Sequence, residues 1–277
     1  MTSTKKEQRT VNILGFSMFG SDFACLLKKI KLQLTQKKEP EIIFTPNAEQ
    51  LVQAAQNPNF SRYLQQADLL LPDGMSVVWA SRLLALFGRS RPILQRVTGI
   101  DLAWELLELA RQQKFQVLVI GGEGYHQLAV SGKKSSKYSR LWHLSDNLLW
   151  TPGFQDRTQP TRPEQANLAK ILQNLQPAVV LVALGAPYQE KWLSEQRQLL
   201  NSAQVKLALS VGGAMDVILG KLNRAPLPMR RLGLEWLYRL VQEPWRWRRQ
   251  LRLLQFGWLI LKQLTTGYQV PEENCKK

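Results

Sequence analysis

Cysteine and long apolar runs are both scarce in this chain of 277 residues. The two cysteines, Cys25 and Cys275, lie near opposite ends, which excludes a disulfide framework and is typical of a reducing compartment. No run approaches the roughly 18 apolar residues of a membrane-spanning helix, and the most apolar segment near the end, residues 256–261, is far too short. Residues 1–16 contain no long apolar core and no small-residue cleavage site, so the sequence predicts no signal peptide.

The motifs of several common metal and cofactor sites are also missing. There is no Walker loop, no zinc-ligand spacing and no D-x-D pair, and His126 and His143 are too few for a histidine metal site. The glycine fingerprint of dinucleotide enzymes is incomplete: Gly121-Gly122-Glu123-Gly124 is a partial match, and no acidic residue follows at the ribose-binding distance. We therefore expect neither a metal nor a cofactor.

Acidic residues are few relative to basic ones. Lys and Arg number 37 against 21 Asp and Glu, which gives a formal net charge of +16. Such an excess predicts a polyanionic partner: nucleic acid, an anionic bilayer or a phosphorylated substrate. The hydrophobic content of 44% is ordinary for a globular protein, and the length allows one large domain or one domain with an appendage.

Short β-type runs alternate with amphipathic helical patterns through most of the chain. The runs typical of buried strands are residues 11–14, 42–44, 68–71, 117–120, 179–184 and 205–211. The clearest helical patterns are residues 23–34, 102–112, 164–175 and 189–200. This alternation predicts a Rossmann-like α/β fold, with a mainly parallel sheet and helices on both of its faces. The basic, serine-rich residues 131–140 are predicted to form a surface loop.

The pattern changes at about Arg224, after which no further strand is predicted. We predict two units: an α/β core over residues 1–223 and a basic helical appendage over residues 224–277. The last helix is expected to begin near Pro244, since proline suits the first turn of a helix. Along it, apolar residues recur at spacings of four and three and predict one apolar stripe: Trp247, Leu251, Leu254, Trp258 and Leu261.

The segments that directly follow the predicted strands contain most of the chemically informative residues. In parallel α/β sheets, ligands bind at the carboxyl ends of the strands. The five segments are Thr45-Pro46-Asn47, Pro72-Asp73-Gly74, Gly121-Gly122, Gly185-Ala186-Pro187 and Gly212-Gly213. Glycines allow close backbone approach and expose N–H groups to anions, so five such ends at one edge predict a nucleotide-diphosphate site.

Asp73 is the lone carboxylate among these strand ends in the first half of the chain. An ionised carboxylate at this place can act as a general base on an acceptor hydroxyl. The same Pro-Asp-Gly tripeptide also forms a tight turn without any catalytic role. The residues alone leave both interpretations open.

In their order along the chain, these segments resemble the WecG/TagA/CpsF glycosyltransferases. The resemblance runs from about Val11 to Leu253 and includes T-x-N at residues 45–47, P-D-G at 72–74 and R-x-x-G-x-D at 96–101. It continues with G-x-P-x-Q-E at residues 185–190 and with Val-Gly-Gly-Ala-Met-Asp at 211–216. The last matching residues are Gly220, Arg224-Ala225-Pro226, Glu235-Trp236, Arg239, Glu243-Pro244 and Arg248. Each tripeptide is weak alone, but the ordered set is specific.

The resemblance implies an inverting, metal-independent transfer from a UDP-sugar, N-acetylmannosamine or its uronate, to N-acetylglucosamine on polyprenyl diphosphate. It implies that Asp73 is the catalytic base that deprotonates the acceptor hydroxyl. The substrate-binding residues that it implies are Thr45 and Asn47 in a sugar pocket, Arg96 and Gln189 on the nucleotide sugar, Gly185 and Gly213 near the uridine diphosphate, and Arg224, Arg231 and Arg239 as candidates for the diphosphate. Self-association is also implied, without a stoichiometry.

Two departures from the family pattern are visible. Residues 131–156 do not show the usual short strand before a glycine-aromatic turn, and only Gly153-Phe154 resembles it. Tyr188 stands where lysine is common before the Gln-Glu pair. The first departure affects the predicted local fold and acceptor specificity, and the second affects the charge expected beside Gln189.

Residues 224–262 hold nine basic and two acidic residues with tryptophans interleaved. A basic amphipathic helix can pack on a core with a solvated face, or lie in a bilayer interface, where each basic residue contributes roughly 1 kcal/mol. With a lipid-linked acceptor we favour the second, which predicts a cytoplasmic protein attached peripherally to the inner face of the plasma membrane. Two alternatives from other classes are a basic nucleic-acid-binding protein and a dinucleotide-dependent oxidoreductase. The charge is strongest in one terminal helix and no nucleic-acid-binding motif is visible, so we expect no nucleic-acid partner.

Overall fold

The computed structural model describes residues 9–36, 39–128, 133–138, 140–244 and 247–271, without the side chains of residues 128 and 248–250. Its strands are β1 (Thr10–Ile13), β2 (Phe16–Phe19), β3 (Glu41–Phe44), β4 (Leu69–Leu70), β5 (Val117–Gly121), β6 (Lys133–Lys134), β7 (Trp142–His143), β8 (Leu148–Thr151), β9 (Val179–Ala183) and β10 (Leu207–Ser210). Its helices are α1 (Phe23–Thr35), α2 (Ala48–Gln56), α3 (Pro58–Gln65), α4 (Met75–Leu86), α5 (Gly99–Gln113), α6 (Tyr125–Leu128), α7 (Arg162–Leu175), α8 (Tyr188–Glu195), α9 (Arg197–Ser202), α10 (Ala214–Ile218), α11 (Leu227–Arg231), α12 (Glu235–Gln242) and α13 (Trp247–Thr266).

One sheet crosses the protein in the order β1-β2-β4-β3-β10-β9-β5-β8-β7-β6. All neighbouring pairs from β2 through β8 are parallel, and the antiparallel pairs lie at the two edges. The central strands are buried on both faces, which is why their sequences are continuous apolar runs. The predicted Rossmann-like, mainly parallel sheet is therefore confirmed.

Helices cover both faces of the sheet. Alternate residues of β5 enter two separate cores: Leu118 and Ile120 join α2, α3, α4 and α13, whereas Val117 and Val119 join α1, α5 and α10. This division follows from the two-residue period of a strand. It confirms the predicted helices on both faces.

The described residues beyond Arg224 contain three helices and no strand, as the sequence predicts. Helix α13 packs across α2 and α4 and buries Phe256, Leu259 and Ile260. Its far end is tied to the sheet, because the Leu14 N–H donates to Gln263 Oε1 at 3.0 Å and Leu14 O accepts from the Val270 N–H at 2.9 Å. The helix that completes the appendage is thus packed against the core.

The predicted apolar stripe of α13 lies on the opposite side from these buried residues. Leu251, Leu254, Trp258 and Leu261 are all more than half exposed, and Leu254 reaches 74%. Core packing therefore does not account for the stripe. The predicted start at Pro244 adjoins residues 245 and 246, which lie outside the described part of the chain.

Several expectations need correction. The helix predicted over residues 189–200 is two helices, α8 and α9, separated at Gln196, and the surface loop predicted at 131–140 contains the exposed strand β6, paired with β7. Strand β8 was not expected, yet it leads directly to Gly153 and to the buried Phe154. The short strand and glycine-aromatic turn typical of the family are therefore present.

Candidate active site

The loops that follow β3 and β4 are joined beside Asp73. The Asp73 N–H donates to Pro46 O at 3.2 Å, and Pro72 O accepts from the Val97 N–H at 3.2 Å. Gly74, with φ of +115°, turns the chain into α4, and a Cβ there would lie 3.8 Å from that of Asn47. Because this φ is strained for any residue but glycine, Gly74 is needed to hold Asp73 at the strand end.

Burial is the largest influence on the Asp73 carboxyl group and raises its pKa to about 6. The cations of Arg96 and Arg239 lower this pKa, and the carboxylates of Glu235 and Asp101 raise it. A carboxyl with a pKa near 6 is mostly ionised at neutral pH and retains more basicity than an ordinary aspartate. Such a group is suited to take a proton from a hydroxyl.

A chain of ion pairs connects the core to the appendage next to Asp73. Arg96 Nη1 lies 3.2 Å from Glu235 Oε2, and Arg224 Nη2 lies 2.5 Å from Asp101 Oδ1. Arg224 Nε approaches the other oxygen of Glu235 at 3.7 Å, so Glu235 lies between two guanidinium groups. Both arginine side chains are only 15–20% exposed, which strengthens their interaction with any anion that enters.

Arg239 reaches the strand ends from the appendage. Its Nη2 donates to Gly213 O at 2.8 Å, and its Nε lies 3.8 Å from Glu243 Oε2. Since Arg239 also acts on the pKa of Asp73, the structure brings Asp73, Arg96, Arg224 and Arg239 to one place. Arg231, by contrast, is exposed at the end of α11, and no hydrogen bond or ion pair of the described residues connects it to this group.

Gln189 links the loops that follow β9 and β10. Its Oε1 accepts from the N–H groups of Gly185 and Gly212, each at 3.1 Å, and its Nε2 donates to Glu190 Oε1 at 2.8 Å. Gln50 donates to the same Glu190 oxygen at 3.3 Å. Gln189 is 4% exposed, and the two hydrogen bonds that its Oε1 accepts hold the two glycine loops together. Its predicted contact with the nucleotide sugar stays a prediction.

Thr45 and Asn47 occupy the loop after β3. Thr45 is buried, and its hydroxyl donates to Ser210 O at 3.2 Å, which ties β3 to β10. Asn47 caps α2: its Oδ1 accepts from the Gln50 N–H, and Gln50 Oε1 accepts from the Asn47 N–H. Among the described residues, no hydrogen bond engages the Asn47 side-chain amide nitrogen. That group is available to a ligand, whereas the Thr45 hydroxyl is already used.

Glu235, Glu190 and Arg157 belong to the site but were assigned no role from the sequence. Arg157 Nη1 donates to Leu184 O at 2.9 Å, and the guanidinium lies 5.5 Å from the centre of the Tyr188 ring. A cation therefore stands beside the position where the family commonly has lysine. In the sequence, Glu235 occurs only as part of the matching pair Glu235-Trp236, without a role of its own. No sequence feature around Arg157 predicts its contact with the segment that follows β9.

A cavity of about 310 Å³ opens beside the ion pairs. It is lined by Phe23, Gln95, Arg96, Asp101, Trp104, Glu105 and Arg224. Within the described ranges, no three His, Cys, Asp or Glu side chains are grouped as a metal site would require. In the same ranges no helix is long and apolar enough to cross a bilayer.

Two comparisons bear on this arrangement. The family model described as glycosyl transferase WecG/TagA/CpsF family matches residues 11–270. An N-acetylglucosaminyldiphosphoundecaprenol N-acetyl-beta-D-mannosaminyltransferase of Bacillus subtilis (strain 168) is 31% identical over 274 residues, which cover 97% of this chain and 99% of that protein. A protein of the same name from Bacillus spizizenii is 30% identical over 256 residues, which cover 92% of this chain and 91% of that protein.

Proposed function

This chain belongs to the WecG/TagA/CpsF family of glycosyl transferases, and from that premise we propose that it transfers N-acetylmannosamine, or its uronate, from a UDP-sugar to N-acetylglucosamine on polyprenyl diphosphate. The names of both relatives support the acceptor and the sugar. The observation that carries the proposal is the placement of Asp73, with its raised pKa, beside three arginines at the carboxyl edge of the sheet.

Asp73 acts as the general base of a single displacement. Its carboxylate removes the proton of the acceptor hydroxyl, the acceptor oxygen forms a bond to the anomeric carbon, and the bond from that carbon to the UDP oxygen breaks. Attack from the face opposite the leaving group inverts the anomeric configuration. The pKa of about 6 keeps Asp73 mostly ionised at neutral pH, as this step requires.

Arginines balance the charge of the departing diphosphate without a metal. Arg96 and Arg224 are both held by Glu235, Arg224 also pairs with Asp101, and Arg239 donates to Gly213 O. Guanidinium groups can bind phosphate oxygens in a bidentate manner, and fixed cations at a developing negative charge lower the barrier of the reaction. When the donor binds, oxygens of its diphosphate replace carboxylate oxygens as the partners of Arg96 and Arg224.

The donor nucleotide lies over the glycine-rich ends of β10, β9 and β5. Gly185 has φ of +76°, and a Cβ there would lie 3.2 Å from Arg157 Nη1, so a side chain at this position would intrude beside a cation. The N–H groups of such loops are suited to phosphate oxygens. The acceptor then approaches from the side of β4, where Asp73 is placed.

The appendage holds the protein on the inner face of the plasma membrane as a peripheral protein. The exposed stripe of α13 supports this, because Leu251, Leu254, Trp258 and Leu261 are unburied and the helix contains no acidic residue. High salt or detergent is expected to release the protein from membranes. Resistance of binding to both alkali and high salt would contradict a peripheral mode.

The test of this function is acceptor-dependent UDP release from a panel of UDP-sugars, with a chelator present. We expect one donor to be used, and Asp73→Asn to reduce the rate by about 100-fold or more, as for the loss of a general base. Asp146→Asn, a change of the same kind at an exposed position away from the site, serves as the control. Release that needs a metal, or that is equal in wild type and Asp73→Asn, would refute the mechanism.

A further inference from the structure

Helix α4, part of the predicted core, carries an exposed apolar surface that the proposed chemistry does not use. Leu86 is 83% exposed, and Phe87, which directly follows the helix, is 62% exposed. Trp79 and Leu83 lie on the same side of the helix at spacings of seven and three from Leu86 and are also exposed. We call Trp79, Leu83, Leu86 and Phe87 the α4 patch.

The other side of α4 explains why the patch is left uncovered. Val77, Val78 and Leu84 are fully buried in the core that α4 shares with α13. These residues already supply the contacts of α4 with the core, so the patch on the opposite side is not needed for core packing. Large exposed apolar side chains in one place mark an interaction surface more often than chance exposure.

The arginines close to the patch in the sequence indicate the chemistry of its partner. No acidic residue occurs between Asp73 and Asp101, whereas this segment contains Arg82, Arg89 and Arg91 in addition to Arg96 of the site. Arg82, Arg89 and Arg91 are exposed, and none of them makes an ion pair with a residue in the described ranges. Apolar side chains interleaved with unpaired arginines match an anionic bilayer, where the arginines bind headgroups and the apolar side chains enter the acyl region.

A second copy of the chain fits this surface less well. A twofold dimer would place the α4 patch of one copy against the same patch of the other. That contact would bring Arg82, Arg89 and Arg91 of one copy close to the same arginines of the other, and like charges across an interface oppose association.

The α4 patch also faces the same way as the exposed stripe of α13. Both helices pack on the same side of the sheet and contact one another, and the buried residues of each belong to the same core. Their exposed sides therefore both face away from the sheet. The loop at Gly233 lies against the first turns of α4, where a Cβ would approach Met75 Cγ at 2.6 Å and Trp79 Cζ2 at 3.6 Å, so the appendage adjoins the patch at Trp79.

We infer that the α4 patch is a membrane-docking surface of the core itself, which rests on an anionic lipid bilayer together with α13. The inference deepens the proposed function and rests on it for the lipid-linked acceptor. Because Asp73 stands immediately before α4, docking through this helix places the acceptor side of the site at the bilayer from which a polyprenyl diphosphate must come.

Sedimentation of the full chain with vesicles tests the inference. The vesicles are phosphatidylcholine alone, or phosphatidylcholine with about 30% of the anionic lipid phosphatidylglycerol, whose negative surface potential attracts basic residues. We expect wild type to sediment with the anionic vesicles, and Leu86→Glu/Phe87→Glu to lose roughly tenfold or more of this binding. Arg89→Gln/Arg91→Gln is expected to weaken binding to anionic vesicles selectively.

The matched control is Leu32→Glu on α1, which changes another exposed leucine, 55% exposed, on the other side of the sheet. Its vesicle binding should equal that of wild type. Circular dichroism and thermal unfolding establish that each variant is folded. Failure of wild type to bind anionic vesicles, or equal binding by Leu86→Glu/Phe87→Glu, would overturn the inference.

Two further readouts separate this inference from its rival and from the proposed function. If Leu86→Glu/Phe87→Glu converts a dimer to a monomer in analytical ultracentrifugation while vesicle binding is unchanged, the patch binds a second copy and the inference is wrong. Transfer to a short-chain, water-soluble acceptor without vesicles should be equal in this variant and wild type. If wild type fails in that assay, the proposed function fails, whereas the vesicle result still decides the docking surface.

Discussion

The pH dependence of the transfer rate follows from the surroundings of Asp73. With a pKa of about 6, about nine-tenths of Asp73 is ionised at pH 7 and about one-tenth at pH 5, because the ratio changes tenfold per pH unit. If Asp73 is the base, kcat/KM should fall roughly tenfold between pH 7 and pH 5. An ordinary aspartate, with a pKa near 3.9, would leave the rate almost unchanged over this interval.

The fall in kcat/KM at acidic pH forms the acidic limb of the pH profile, and its midpoint reports the pKa of Asp73. Two substitutions should move this midpoint in opposite directions. Arg96 lowers the pKa of Asp73, so Arg96→Gln should move the midpoint above pH 6. Glu235 raises the pKa of Asp73, so Glu235→Gln should move the midpoint below pH 6. Both changes remove one charge and leave a hydrogen-bonding amide, so they control for one another.

The assay is kcat/KM from initial rates of UDP release at half-unit intervals between pH 4.5 and pH 8.5. Since kcat/KM reports groups of the free enzyme, the acidic limb of its pH profile corresponds to the unliganded site. A limb that stays in place in both variants would refute the assignment of this ionisation to Asp73. Movement of both limbs in the same direction would refute the electrostatic account of its pKa.

Three other results are expected from the same structure. Because its raised pKa makes ionised Asp73 unfavourable in the folded state, Asp73→Asn should increase the free energy of unfolding by up to about 3 kcal/mol above pH 6 and by almost nothing below pH 4, measured by urea unfolding. Burial raises the pKa of Glu190 to about 7, so Glu190→Gln should likewise stabilise the fold above pH 7, and a stability gain that is equal at pH 4.5 would contradict this sign. Arg239→Gln should lower kcat by about 100-fold, as for loss of a preorganised donor, whereas Arg231→Gln should stay within about twofold of wild type, and equal losses in UDP release would contradict the geometry.

The central fold was predictable because its strands are buried on both faces. Val117–Gly121 and Val179–Ala183 are continuous apolar runs, and such runs between helical patterns specify a parallel sheet. Strand β4 has only two residues, Leu69 and Leu70, so a pattern of apolar residues overestimates its length. Strand β8 was missed because its burial depends on pairing with β5, which no local periodicity records.

The candidate site was predictable where its residues directly follow strands. Asp73, Gly185 and Gly213 are recognisable as candidates in the sequence because the carboxyl ends of parallel strands meet at one edge. The ion-pair partners of Arg96 and Arg224 were not predictable, since packing of the appendage on the core brings Glu235 to Arg96 and Asp101 to Arg224 across long separations in sequence. Charge pairs of this kind are set by tertiary structure, which residue order alone does not specify.

The contact between Leu14 and the segment at Gln263 and Val270 has a consequence for how the enzyme is made. Leu14, in the turn between β1 and β2, receives its partners from residues that are translated about 250 positions later. Ribosomes add roughly 5–20 residues per second, so the first edge of the sheet must wait many seconds for the segment that secures it. During that interval the apolar face of α2 and α4 that α13 will cover remains open, and the nascent chain is then most exposed to chaperones and to aggregation.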